Sequence, residues 1–195
     1  WGIEKVAEDG TVTKLVDEKN LETTTIEGIR SVKCYGSSMA FKAKLEKIAG
    51  VHGVKVFVKK HSAVVLYNPS VTSPDKIQEQ IYVPSKFKVN PLEPGSVDSL
   101  KVVTIRTEGM YDKMDINYLG LHLRQTDKKI YGLESEFACP LIVRVYMDPA
   151  EEVDKDWFKN VVETEEVTVP TTSGGSKTVT LDYDFVRIED GISYI

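Results

Sequence analysis

The chain has 195 residues, 41% hydrophobic and 28% charged, an ordinary balance for one large globular domain or two small ones. Its net charge of −5 comes from 25 Lys and Arg scattered among 30 Asp and Glu, which excludes the concentrated basic face that a nucleic-acid binder needs. No run of about 20 apolar residues is present, so no membrane-spanning helix is expected, and two cysteines, Cys34 and Cys139, are too few for a disulfide framework or a four-cysteine zinc site.

The chain opens at Trp1 with no initiator Met. A mature exported chain and a trimmed chain would both begin so. We expect export, to the periplasm or cell envelope, where the two thiols would be able to form one bridge. Residues 3–15 alternate around Asp9-Gly10, a hairpin signal. Residues 1–25 are read as a hairpin extension plus a polar connector over 17–25.

From Ile26 the pattern changes. Ile26 to Cys34 is strand-like. Phe41, Leu45 and Ile48 fall at i, i+4 and i+7, one stripe of a helix over 39–49, and Gly50 closes it. Val54, Val56 and Val58 alternate as a second strand. Lys59-Lys60-His61-Ser62 is the turn into a third strand, Ala63 to Tyr67. Ser73-Pro74-Asp75 has an N-cap residue followed by Pro at the first helical position, with Ile77 and Ile81 marking a short helix. Phe87 and Val89 suggest a fourth strand. The first domain is therefore expected at 26–92. The Pro- and Gly-containing stretch that follows is a linker at 93–99.

The order recurs over 100–195 with different spacing, the mark of a divergent internal repeat. Val103 and Ile105 begin a strand. Ile116, Leu119 and Leu123 form a helical stripe. Lys129–Phe137 and Leu141–Met147 are strands around Ala138-Cys139-Pro140, residues 151–163 a helix, and residues 166–169 a fourth strand. A C-terminal hairpin is expected to extend the sheet through Val179, Leu181, Tyr183 and Phe185. The fold class expected is α+β, with tandem ferredoxin-like βαββαβ domains, antiparallel sheets, and N- and C-terminal β-hairpin extensions.

At Ser31-Val32-Lys33-Cys34-Tyr35-Gly36-Ser37, followed by Gly50-Val51, Tyr67-Asn68-Pro69 and Ser73-Pro74-Asp75, the chain resembles the heavy-metal-associated domain family. That family carries Gly-Met-x-Cys-x-x-Cys at the end of its first strand. Cys34 falls on the first cysteine and Ser37 on the second, so the motif is degenerate, Cys-x-x-Ser. In the second half Gly109-Met110 matches the start, and Asp112 and Asp115 stand at both cysteine positions. The resemblance implies a non-enzymatic carrier for Cu(I) or a similar soft ion, passed to a metal-transporting partner protein by docking of the Cys34 loop.

Two thiolates three residues apart at a strand-to-helix turn suit a soft ion, and the helix N-terminus favours the thiolate. With Ser at 37 one sulfur is lost, so binding should be weak or absent. His61 lies in the turn between the second and third expected strands of the domain, at the same end of such a fold as Cys34. It is either a third candidate ligand or a solvated histidine beside Lys59 and Lys60. The metal-site residues expected are Cys34, Ser37 and His61. Asp112 and Asp115 are better explained as helix N-terminal acids than as a cation site. The three histidines, His52, His61 and His122, lack ligand-like spacing. No P-loop, nucleophile elbow or His-Glu-x-x-His is present, so no enzyme is expected. The other function considered is an envelope protein–protein binding module that keeps the fold without metal.

Overall fold

A computed structural model describes residues 4–6, 12–14 and 20–195. The chain divides into two compact units between Tyr82 and Val83. Strands β1 (Glu4–Val6) and β2 (Val12–Lys14) pair antiparallel as the expected hairpin. Its Asp9-Gly10 turn lies outside the described residues.

The first unit continues with β3 (Glu22–Ile26), α1 (Tyr35–Glu46), β4 (Val51–Phe57), β5 (Ser62–Tyr67) and α2 (Pro74–Ile81). Its sheet has the antiparallel order β3-β5-β4. The first strand ends at Ile26, where sequence patterning has it begin. Thr23, Thr24 and Thr25 are β-branched and stiff at χ1, which suits a strand. Their polarity is what suggested a connector. Leu45 from α1, Ile77 from α2, and Ala63 and Val65 from β5 are fully buried together. Ser73 caps α2, its Oγ accepting from the Lys76 amide, with Pro74 at the first position, as the sequence predicts.

The second unit contains β6 (Lys86–Lys88), β7 (Lys101–Glu108), α3 (Lys113–Arg124), β8 (Ile130–Glu136), β9 (Leu141–Met147), α4 (Lys155–Val162), β10 (Glu166–Pro170), β11 (Ser176–Thr180), β12 (Asp184–Ile188) and β13 (Ser193–Tyr194). Its sheet runs β12-β7-β9-β8-β6, with β13 also on β7. Alternation is clean in β9, where Leu141, Val143, Val145 and Met147 are buried and Arg144 faces the other way, between Glu134 and Glu136.

Two strands differ from expectation. The segment with Phe87 and Val89, expected as fourth strand of a domain at 26–92, instead pairs with β8 as an edge of the second unit's sheet. Phe87 lies on α3 at Gly120, where a Cβ would come within 2.1 Å of its ring. Arg124 sits 5.4 Å over the same ring and donates to the carbonyls of Lys88 and Val89. The unit boundary thus falls ahead of this strand rather than at 93–99.

In the second unit, Glu166–Pro170 pairs with β11 as a separate hairpin. The place beside β7 is taken by β12. The C-terminal segment therefore completes the ferredoxin-like sheet, and the expected fourth strand is half of an insertion.

Candidate metal centre

Between β3 and α1 the chain makes a loop pinned by its own apolar residues. Ile29 and Val32 are 2% and 1% exposed. The Ile29 amide donates to the His61 carbonyl at 2.8 Å, and the Val32 amide to the Ile29 carbonyl at 3.0 Å. Cys34 follows as the N-cap of α1, with extended backbone (φ −151°, ψ 175°), and its side chain is exposed.

Ser37, at the third helical position, holds this turn. Its Oγ accepts from the Lys33 amide at 2.9 Å and the Cys34 amide at 3.0 Å, and donates to the Cys34 carbonyl at 3.0 Å. Both lone pairs are thereby committed to backbone amides, and the one hydroxyl proton is shared between the Cys34 carbonyl and Cys34 Sγ. Cys34 Sγ lies 3.5 Å from Ser37 Oγ. Hydrogen bonding from the Ser37 amide, and then from its hydroxyl, holds the thiol below its ordinary pKa, with a smaller contribution from the Gly36 amide and partial opposition from desolvation. These donors favour the charged sulfur, as first-turn amides do.

His61 reaches the same loop. Its ring Nδ1 is 3.1 Å from the Val32 carbonyl oxygen, with one residue, Lys33, between that carbonyl and Cys34. His61 is the one non-glycine among the described residues with positive φ, +48°, a conformation uncommon outside Gly, Asn and Asp. The structure thus brings His61 to the Cys34 loop through Val32, and Ser37 to Cys34 directly.

The second unit builds the same turn with different chemistry. Asp112 caps α3 at φ −145°, ψ 175°. Asp115 Oδ2 accepts from the Tyr111 and Asp112 amides at 2.8 and 2.9 Å, the two bonds Ser37 takes from Lys33 and Cys34. Its Oδ1 accepts from the Tyr183 hydroxyl at 2.6 Å. Asp115 is 0% exposed, and burial raises its pKa. Asp112 Oδ1 accepts from the Met114 amide. Both acids are occupied with backbone and tyrosine, in keeping with helix N-terminal acids rather than a cation site.

Among the described residues no three His, Cys, Asp or Glu side chains gather closely enough to hold a metal ion. Soft ions prefer thiolate and, next, imidazole donors. The Cys34 turn carries one exposed sulfur, and the His61 ring meets the same loop at the Val32 carbonyl. Cys139 is a second exposed cysteine, in the β8–β9 turn. The part played by the Val32 carbonyl has no sequence signal, since any residue carries one.

An antiparallel βαββα unit with a thiol at the N-cap of its first helix has the form of the small ferredoxin-like metal-binding domains. Residues 25–82 match the model of the heavy-metal-associated domain. The chain is similar to copper-transporting ATPase 1 of Rattus norvegicus, 34% identical over 64 residues, and to that of Mus musculus, 31% identical over 64 residues. The aligned stretch is 33% of this chain and 4% of either relative. The solved N-terminal soluble domains of Bacillus subtilis CopA align over 82% of this chain and 93% of that one, at 18% identity and a TM-score of 0.30, too low a likeness to carry an argument.

Proposed function

We propose that the heavy-metal-associated segment is a non-enzymatic, carrier-type site for a soft monovalent ion such as Cu(I), anchored on Cys34 and weaker than a two-thiolate loop. The observation that carries this is the exposed Cys34 thiol, held at a helix N-terminus with its pKa lowered by hydrogen bonds. The relatives' name, copper-transporting, supports copper as the cargo and a metal-transporting protein as the partner. Loss of the second sulfur accounts for the weakness, because Ser37 offers a hard oxygen already committed to backbone. We read residues 100–195 as a divergent second copy, on the strength of the shared turn hydrogen bonds and of matching bulges at Val51/Gly53 and Ile130/Gly132.

The test is Cu(I) titration of the reduced protein against a competing chelator, with Cys34→Ala alongside. One equivalent bound, and lost in the variant, is expected. No competitive binding in the wild type would remove the carrier reading.

A second reading is a binding module that keeps the fold and takes a protein partner without metal. Exposed Tyr35, Met39 and Phe57, at 77%, 44% and 42%, favour it, as does the absence of any Asp or Glu from residues 28–45 and 51–64. Partner capture unchanged by Cys34→Ala would support this reading over the first.

A further inference from the structure

We infer that the end of the first unit bearing the Cys34 loop docks on the surface of an anionic lipid bilayer. Tyr35, Met39 and Phe57 enter the headgroup layer, and Lys33, Lys59 and Lys60 lie against the headgroups.

The loops that carry these side chains share one end of the unit. The segment before α1 is tied to the turn between β4 and β5 by the Ile29 amide on the His61 carbonyl and by the His61 ring on the Val32 carbonyl. Lys33 and Tyr35 flank Cys34 on that segment, and Met39 follows Tyr35 by four residues, on the same face of α1. Phe57 closes β4, and Lys59 and Lys60 follow it in a short 3-10 turn that ends at His61. Lys60 Nζ stands 6.0 Å from the centroid of the Phe57 ring.

Tyr35 is the most exposed large apolar side chain among the described residues, and Met39 and Phe57 are exposed at the same end. Clustered apolar exposure of this kind marks a contact surface.

Charge selects the occupant. Residues 28–45 and 51–64 contain no Asp or Glu, and the nearest acid before the loop, Glu27, is matched in charge by Arg30. The loops are therefore positive on a chain whose net charge is −5. An anionic surface repels such a chain as a whole, so adsorption requires this end to lead. An acidic protein would also be attracted, but protein interfaces favour Arg and are depleted in Lys, and the exposed cations here are lysines. Lysine beside tyrosine or phenylalanine suits a bilayer surface. The ring sits at headgroup depth, the stem of the lysine lies along the apolar layer, and the ammonium reaches phosphate. The surface needs no bound ion, so it stands or falls separately from the carrier reading.

The test is cosedimentation of the reduced, metal-free full chain with sucrose-loaded vesicles, made of phosphatidylcholine alone or of phosphatidylcholine and phosphatidylglycerol in equal parts. The chain should pellet with the mixed vesicles and stay in solution with phosphatidylcholine. Removing one lysine at an anionic surface weakens adsorption about fivefold, so the double variant Lys59→Ala, Lys60→Ala should bind roughly 25-fold more weakly. Tyr35→Ser should lose on the order of tenfold. Lys177→Ala, an exposed position on β11 of the second unit, should bind as the wild type does. All three variants should unfold at the wild-type urea concentration, since each changes an exposed side chain. Failure to pellet with the anionic vesicles overturns the inference. A loss from Lys177→Ala as large as from the double variant also overturns it, because attraction would then be spread over the chain. So does wild-type binding by Tyr35→Ser, because no ring would then enter the layer. If the anionic vesicles leave the wild type in solution while the lysine pair is needed for binding to an immobilised polyglutamate peptide, the surface belongs to an acidic protein and not to a membrane.

Discussion

Cys34 and Ser37 divide labour at one turn. Cys34 presents the exposed thiol, while Ser37 holds the backbone and, by donating from its amide and hydroxyl, favours the thiolate. The pH profile of Cys34 alkylation by iodoacetamide should therefore have a midpoint below that of an unperturbed thiol, and Ser37→Ala, which keeps the amide donor and loses the hydroxyl, should move it part of the way back up. A profile unmoved by the substitution would show that the Ser37 hydroxyl has no hold on the thiol. His122 gives a residue-scale effect on stability. It is half-buried, and desolvation lowers its pKa. The Thr164 hydroxyl donates to the Asn160 carbonyl, so His122 Nε2, 3.0 Å from that hydroxyl, is the donor between them. The unfolded chain binds the proton more readily than the folded one here. The stability linked to His122 is thus full above about pH 6.5 and is lost as pH falls below it. Urea unfolding at pH 7.5 and pH 5 should show a smaller loss for His122→Asn than for the wild type. Cys34 stood out through the resemblance to the family motif. The hydrogen bonds of Ser37 did not, because the family pattern presents that position as a missing ligand and says nothing of the backbone it holds.

At the scale of elements, helices and central strands were readable and edges were not. The stripes Phe41-Leu45-Ile48 and Ile116-Leu119-Leu123 mark helices because one face of each is buried. The strands that went elsewhere, β6 and β10, are short, and their partner is chosen by distant contacts. For β6 the choice turns on Gly120. A side chain there would meet the Phe87 ring, so Gly120→Ala should destabilise the second unit by roughly 1–3 kcal/mol, as overpacking does. Hydrogen exchange should show the loss centred on residues 86–89. Protection unchanged at those amides would mean that Phe87 moves aside freely. For the turn before α3, Asp115→Ala strips the partners from two amides and the Tyr183 hydroxyl. A cost of about 3 kcal/mol is expected from leaving buried donors unmade. The exposed counterpart Ser37→Ala should cost about 1 kcal/mol, as loss of an ordinary helix cap does, and the two can be compared by denaturant unfolding.

For the whole molecule, the division between Tyr82 and Val83 assigns β6 to the second unit, so fragments can test it. A fragment of residues 83–195 should fold and unfold cooperatively. A fragment of 93–195, cut where Pro and Gly suggest a linker, leaves β8 without its edge strand and Gly120 without the Phe87 ring, and should melt at a lower temperature. Equal melting of the two fragments would show that residues 83–92 contribute nothing to that core. The boundary was hidden from sequence because turn-forming composition marks where a chain bends, and only packing shows which core a short strand joins. The turn present in both units has a consequence for how such a chain changes over generations. Residue 37 or 115 secures the backbone, while the cap residue at 34 contributes little to the fold. A lineage can therefore exchange the reactive group at that place, thiol for carboxylate or the reverse, with little penalty in folding yield. The group exposed at the head of the helix can then change at one codon on an unchanged scaffold.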